Sequence, residues 1–114
     1  MLSQYDPVKV DFILCEERAL PPFPPATDRS AWSAIKEALG GEQVGAMVAA
    51  AEVTAREPVP PLPATLFLEF FRSGSRQEYE TPWFRRRAAL ADLALAECLE
   101  DQGRFLDPLL DVAW

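Results

Sequence analysis

Residues 82–114 read PWFRRRAALADLALAECLEDQGRFLDPLLDVAW, and this stretch decides the fold. It predicts a long helix over 82–102, a stop at Gly103 and a second helix over 104–114. Pro82 suits the first helical turn, where its missing N–H costs no hydrogen bond, and Gly103 suits the left-handed position that ends a helix. On a helical wheel the main apolar stripe of the long helix consists of Phe84, Ala88, Ala91, Leu95, Cys98 and Leu99.

The rest of this helix is also largely apolar. Trp83, Leu90 and Ala94 flank the stripe, and the far side is closed by Leu93, Ala89 and Ala96. A helix that is apolar on nearly every side is buried on several sides. We therefore expect this one to need more neighbours than 114 residues supply, as in one part of a larger helical assembly.

The remaining segments complete an all-α fold of about six helices, in a single partial helical domain over residues 1–114. A first helix is predicted over 6–18, with Asp6 as N-cap and Pro7 after it. The other predicted segments are a Pro-rich strap over 21–25, helices over 28–39 and 42–57, a Pro-rich connector over 58–63 and a helix over 64–72. Short strands are the alternative at 8–12 and at 64–72, where composition alone suits a strand.

The strap, Pro21-Pro22-Phe23-Pro24-Pro25, cannot be helical because its prolines impose an extended path. It is either a ligand for a proline-recognising groove or a rigid segment that lays Phe23 on the body of the domain. We favour the second interpretation, since such ligands usually lie in disordered tails.

The composition argues against a nucleic-acid partner and against a metal or cofactor site. A net charge of −7 argues against a nucleic-acid partner, which requires a basic face. The chain has no histidine, and Cys15 and Cys98 are far apart, so no metal or cofactor site is expected. Cys98 lies on the apolar stripe and is predicted to be a buried free thiol rather than half of a disulfide.

The N-terminal segment lacks the basic region and the apolar core of a signal peptide. No window approaches 18 apolar residues without charge, so no membrane span is predicted. A cytoplasmic location is the resulting expectation.

The densest charge cluster is Arg85-Arg86-Arg87, near the predicted start of the long helix. Basic residues there, and Glu97, Glu100 and Asp101 near its end, oppose the helix dipole. The arginines either contact an anion or pair with acids such as Glu69, Glu78 and Glu80, and we favour pairing. Consecutive side chains point about 100 degrees apart, so the three arginines cannot face one ligand.

No residue is assigned a catalytic role. Glu97 could be tuned by burial as an acid or base, but the favoured interpretation is a structural carboxylate that pairs with an arginine or caps a backbone group. Glu16-Glu17 and Glu100-Asp101 are predicted to be solvated helix ends. Tyr5 and Tyr79 would act as general acids only with partners that the sequence does not identify.

Several motifs nevertheless resemble the N-terminal region of heparinase II/III-like proteins. The most specific are AECLE at 96–100, GRFLD at 103–107 and the LLD..W ending at 109–114, with FPPATDRSAW at 23–32 upstream. The resemblance implies an incomplete (α/α) toroid of paired helices, followed in the family by a β-sandwich. It also implies β-elimination on uronate-containing polysaccharides, by a tyrosine and histidines that lie in the family beyond the position of Trp114.

The sequence therefore predicts an N-terminal scaffold fragment of a heparinase II/III-like polysaccharide lyase, inactive by itself. Its expected partner is the missing C-terminal part of the same protein, or a second copy through the surface from Pro82 to Trp114. The alternative is a small helical interaction module, with homodimerisation through that surface. A weaker third hypothesis is that Arg85, Arg86, Arg87 and exposed aromatic residues hold an acidic polysaccharide.

Overall fold

The computed structural model describes Asp6, Val8 and residues 22–114, and every regular element in this part of the chain is an α-helix. The helices are α1 (Arg29–Leu39), α2 (Gly41–Arg56), α3 (Ala64–Ser73), α4 (Gln77–Glu100) and α5 (Leu106–Ala113). The predicted all-α class is confirmed. The described residues contain no β-strand, so residues 64–72 belong to a helix rather than to the strand that their composition also allowed.

Most of the predicted helix over 6–18 lies outside the described residues. The two residues described there agree with its predicted start, because the carboxylate of Asp6 accepts the N–H of Val8 at 3.0 Å. This is the hydrogen bond that an N-cap side chain makes.

Helices α1 and α2 form a hairpin that turns at a glycine. The carboxylate of Asp28 caps α1 by accepting the N–H of Ala31 at 3.0 Å. At the other end, Gly40 has φ of 81° and donates its N–H to Lys36 O at 3.0 Å. Since non-glycine residues rarely adopt this φ, the glycine lets α2 begin at the next residue.

Helix α4 begins at Gln77, so the predicted start at Pro82 is wrong. The five residues before the proline, QEYET, include good helix formers and place Glu78 and Glu80 in the first turn. Arg76 pairs with Glu80 one turn later, at 3.1 Å. Pro82 therefore lies inside the helix, where it removes one backbone hydrogen bond.

The predicted stop at Gly103 and the predicted start of the last helix at Arg104 are also displaced. Helix α4 ends at Glu100, and Asp101 takes the left-handed C-cap position with φ of 60°. Aspartate adopts this conformation more readily than most residues. Gly103, with φ of 77°, lies in the connection that follows, and α5 begins at Leu106.

The main hydrophobic core lies where α2, α4 and α5 meet. Its buried members are Ala51, Leu93, Ala96, Phe105 and Val112. Partly buried apolar residues surround them, namely Val48, Ala55, Val59, Ala89 and Leu109. The small residues Ala51 and Ala96 allow the helices to approach closely at this junction.

The buried face of α4 is the face that was predicted to lie opposite the main apolar stripe. Leu93 is fully buried, whereas Phe84 on the predicted main stripe is 59% exposed. Ala88 and Ala91 of that stripe are exposed as well, and only Leu99 of the stripe is buried. Periodicity detected an apolar helix correctly, but it could not select the face that meets a neighbour.

The Pro-rich segment before α1 does not place Phe23 on the domain. Phe23 is 55% exposed, so this part of the strap interpretation is wrong. The segment is held by its backbone instead, because Trp32 Nε1 donates to Pro25 O at 3.1 Å. The donor, Trp32, is itself a buried side chain and is 3% exposed.

Candidate functional site

The three consecutive arginines point to three different partners. Arg85 lies 3.6 Å from the carboxylate of Glu57, and Arg86 donates to the backbone oxygen of Val112 at 2.8 Å. The guanidinium of Arg87 lies over the ring of Trp83, 4.6 Å from its centroid. The prediction that they cannot face one ligand is confirmed, although the acid that pairs is not among those expected.

The early start of α4 also removes the apparent conflict between the arginines and the helix dipole. Residues 85–87 lie in the third turn of α4, beyond the reach of the N-terminal dipole. Arg86 instead donates to a backbone oxygen at the C-terminal end of α5. Carbonyl groups there lack intrahelical partners and attract cations.

Glu97 is a structural carboxylate, as predicted. One of its oxygens accepts the N–H of Gly103 at 2.6 Å, and the other accepts the N–H of Phe105 at 3.0 Å. Both bonds fix the connection that carries the chain from α4 into α5. With both oxygens engaged, the carboxylate is not directed at any ligand.

The acids at the end of α4 are paired, and the expectation of solvated acids is wrong for Glu100, whose side chain is 18% exposed, but not for Asp101, whose side chain is 61% exposed. Glu100 accepts two hydrogen bonds from Arg104, at 2.6 and 2.9 Å, and Arg104 also contacts Glu52 of α2 at 2.7 Å. The hydrogen bonds from Arg104 lower the pKa of Glu100. Asp101 pairs with Arg29 at 3.1 Å. The acids Glu16 and Glu17 lie outside the described residues.

Cys98 is a half-buried free thiol whose pKa is raised by burial. The positive charge of the nearby Arg29 guanidinium lowers the pKa of this thiol, but by less than burial raises it. Arg29 also donates a hydrogen bond to the backbone oxygen of Cys98 at 2.9 Å. A raised pKa lowers the thiolate fraction, which does not favour a nucleophilic role. Within the described ranges, no group of three or more potential metal ligands is assembled.

A concave surface lies between α3 and the N-terminal half of α4 and forms a groove. It encloses about 440 Å³. We call it the aromatic groove, and its lining residues are Phe67, Phe70, Phe71, Arg76, Tyr79, Glu80, Trp83 and Phe84. A surface so rich in aromatic side chains is typical of binding sites.

Edge-to-face contacts organise the rings of this groove. Phe67 lies at the centre, with its ring centroid 5.8 Å from that of Phe71 and 5.5 Å from that of Tyr79. Trp83 and Phe84 form a second pair at 4.8 Å. Each ring is therefore positioned by contact with its neighbours. The rings nevertheless remain exposed to solvent, with Phe67 at 51% and Phe71 at 71%.

The charged residues of the groove form a single ion pair. Arg76 bonds to Glu80 and lies 5.6 Å from the ring centroid of Phe70. Tyr79 is the predicted general-acid candidate that falls here, and its ring packs against Phe67. Tyr5 lies outside the described residues. The groove thus offers apolar contact and one ion pair that can orient a bound group.

A second exposed apolar surface lies on α5. Leu106 is 47% exposed, Leu110 is 65% exposed and Trp114 is fully exposed, at 103%. Leu106 and Leu110 lie one turn apart on the same side of α5, and Trp114 follows at the same interval as its C-cap residue. We call these three residues the α5 stripe.

Sequence reasoning offered the surface from Pro82 to Trp114, which contains the α5 stripe, and missed the aromatic groove. It predicted a helix over 64–72 but began the next helix at Pro82, so it did not bring the two walls of the groove together. The available signal was the excess of apolar residues in a ten-residue helix, since one buried face cannot absorb three phenylalanines and two leucines.

Comparison with known proteins does not identify a family. No protein-family model matches the chain, and no curated protein matches it. Across the residues described, no helix combines the length and the apolar character that crossing a bilayer requires.

Proposed function

We propose that this chain is a helical scaffold that works by packing its exposed apolar surfaces against further helices. The observation that carries the proposal is the aromatic groove, an ordered set of rings that is open to solvent on a framework of folded helices. Exposed apolar patches of this kind mark protein–protein contacts more often than they mark reaction centres.

The roles of the charged residues support a scaffold over an enzyme. Glu97 caps backbone N–H groups, Glu100 and Glu52 bind Arg104, and Arg86 binds the last turn of α5. Each of these charged groups is used to hold helices and their connections together. Catalysis would require at least one of them to be directed at a shared cavity.

The resemblance to heparinase II/III-like proteins supplies the finer form of the proposal, in which the further helices complete an (α/α) toroid. Its most specific motifs fall on one structural junction. In AECLE and GRFLD, Glu97 binds the backbone of Gly103 and Phe105, while Arg29 of the upstream motif binds Cys98 O. These contacts support a structural reason for the motifs. They name no substrate.

Two assays test the proposal. The purified chain, incubated with uronate-containing polysaccharides, should give no rise in the ultraviolet absorbance of unsaturated uronate, and such a rise would overturn the scaffold role. A hydrophobic dye should bind the folded chain, and Phe71→Asp should reduce that binding. A folded chain that binds no dye would contradict the exposed groove.

The toroid form has its own test in the genomic DNA that follows the coding sequence of Trp114. Helical segments and a histidine- and tyrosine-bearing segment there would agree with it, and their absence would leave the second candidate. That candidate is a small interaction module that associates with other proteins or with itself, and the exposed α5 stripe favours it. Binding of an acidic polysaccharide through residues 85–87 is not favoured, because each arginine already has an intramolecular partner.

A further inference from the structure

We propose that residues 58–63, the Pro-rich connector between α2 and α3, are a preformed ligand for a partner domain whose aromatic-lined groove recognises proline. The proposal goes beyond the scaffold function and concerns a different surface, because it involves neither the aromatic groove nor the α5 stripe. It also transfers the role of proline ligand from the strap, where the sequence left it as an alternative, to the second Pro-rich segment.

The sequence of the connector, PVPPLP, fixes its backbone in an extended path. Its four prolines hold φ at about −65°, and a residue that precedes a proline avoids the helical region. Both ends show the result, since Glu57 has φ of −76° and ψ of 144°, and Pro63 has φ of −66° and ψ of 147°. These angles are typical of a polyproline II helix, and residues 58–63 contain no helix, strand or turn. A segment that already has this conformation loses little freedom when it enters a groove.

The folded helices hold both ends of the connector. At its start, Glu57 donates its N–H to Thr54 O at 3.2 Å, and its carboxylate lies 3.6 Å from Arg85 of α4. At its end, Pro63 is the N-cap residue of α3 and accepts the N–H of Leu66 at 3.0 Å. The connector is therefore displayed on a folded surface and keeps its shape without a partner.

Burial along the connector follows the three-residue repeat of a polyproline II helix. Val59 and Leu62 lie one turn apart and are both half-buried, and Val59 packs against the main core. Pro58 and Pro61 also lie one turn apart, on a different edge, and both are exposed. One edge thus attaches the connector to the domain, while a proline edge faces solvent.

The connector contains two overlapping Pro-x-x-Pro pairs, which is the pattern that proline-recognising grooves bind. Pro58 and Pro61 form the first pair, and Pro60 and Pro63 form the second on the remaining edge. In the second pair Pro63 is exposed and Pro60 is half-buried. The members of a pair are about 9 Å apart along the segment at 3.1 Å per residue. A row of aromatic side chains on a partner can therefore pack against the exposed prolines without any change in the fold.

The Pro-rich strap has the same sequence pattern in a different conformation. Pro22 and Pro25 are spaced as a Pro-x-x-Pro pair and both are exposed, but the chain bends at residues 22–23. Pro25 O is also engaged, since it accepts the N–H of Asp28 at 2.9 Å and that of Trp32 Nε1 at 3.1 Å. A polyproline II ligand keeps its backbone open to solvent. The strap is therefore the poorer ligand and provides a matched control within the same chain.

The experiment measures binding of the full chain to a panel of purified SH3 and WW domains, whose aromatic-lined grooves recognise such segments. Each domain is isotope-labelled and the chain is not, so the NMR signals report contact at the groove of the domain. The connector variant is Pro58→Ala/Pro61→Ala, and the control is Pro22→Ala/Pro25→Ala in the strap. Each removes two exposed prolines at the same spacing. Pro61→Ala alone replaces the double variant if circular dichroism shows that the latter has lost helix.

At least one domain of the panel should bind the wild type and the strap variant through its groove with equal affinity. The connector variant should bind at least about tenfold more weakly, because it loses two exposed rings at the centre of the contact. Absence of binding across the panel overturns the proposal. So does binding that the connector variant retains, or that the strap variant weakens to the same extent. Each of these results leaves the scaffold function standing, because dye binding at the aromatic groove tests that function separately.

Discussion

The two halves of α4 belong to one continuous helix and have opposite environments. In the C-terminal half, Leu93, Ala96 and Leu99 are buried, and polar side chains tie this half to α1, α2 and α5. In the N-terminal half, Phe84 and Ala88 are exposed, and α3 is the short partner whose own phenylalanines remain open. The difference teaches that local apolarity does not decide burial, because both halves are rich in apolar residues and only one has enough neighbours.

Polar contacts also change along α4. Around its end, ion pairs connect residues far apart in sequence, such as Arg29 with Asp101. In its first turn the ion pair is local, between Arg76 and Glu80, and long-range contacts begin only with Arg85 in the third turn. The C-terminal half therefore belongs to the folded centre of the described chain, and the first turns of α4 with α3 carry its exposed aromatic surface.

The largest expected difference between the halves is in core packing. Leu93→Ala should lower the free energy of unfolding by about 2–5 kcal/mol, because it opens a cavity among fully buried residues. Phe84→Ala, on the same helix, should lower it by less than about 1 kcal/mol, since that ring is mostly exposed. Urea unfolding of dilute chain, followed by circular dichroism, measures both. Equal losses would mean that the two halves are packed alike.

The next effect concerns the cap that joins α4 to α5. Glu97→Ala should destabilise the chain by about 1–3 kcal/mol, because the N–H groups of Gly103 and Phe105 lose their acceptor. Asp92→Ala is the matched control, an exposed acid on the same helix, and should change stability by less than about 0.5 kcal/mol. A Glu97 variant as stable as the control would show that the cap is dispensable.

The smallest effect is a pH dependence at the same end of α4. Arg104 lowers the pKa of Glu100 in the folded chain, so the pair contributes stability above the unfolded pKa, near 4.5, and loses it as the pH falls through the lower folded value. Glu100→Gln should flatten that part of the stability curve. Arg104→Gln should flatten it as well, because it removes the partner. An unchanged acid slope in both variants would exclude the pair as its source.

The all-α class and several helix ends could be predicted from sequence because they depend on local signals. Asp28 and Gly40 sit where capping chemistry requires them, and Pro58 follows the end of α2. The start of α4 could not be read so directly. Pro82 gave a strong signal for a first turn, but the helix-forming residues before it and the Arg76–Glu80 pair extend the helix past it.

The buried face of α4 and the aromatic groove were beyond local reasoning for a different reason. Phe84 and Leu93 are equally apolar, and only the position of α2 and α5 determines which one is buried. A structural role for Glu97 was predicted from its apolar neighbours, with an arginine or a backbone group as the alternative partners. Its two acceptor contacts depend on the path from Gly103 to Phe105, which the sequence did not specify.

The measurement that tests the central claim most directly is covalent footprinting of the folded chain at low concentration. Mass spectrometry then compares the labelling of groove residues Phe71 and Phe84 with that of core residues Leu93 and Phe105. We expect strong labelling of the first pair and protection of the second. Protection of Phe71 and Phe84 to the level of Phe105 would contradict the account, because the groove would then be closed within a single chain.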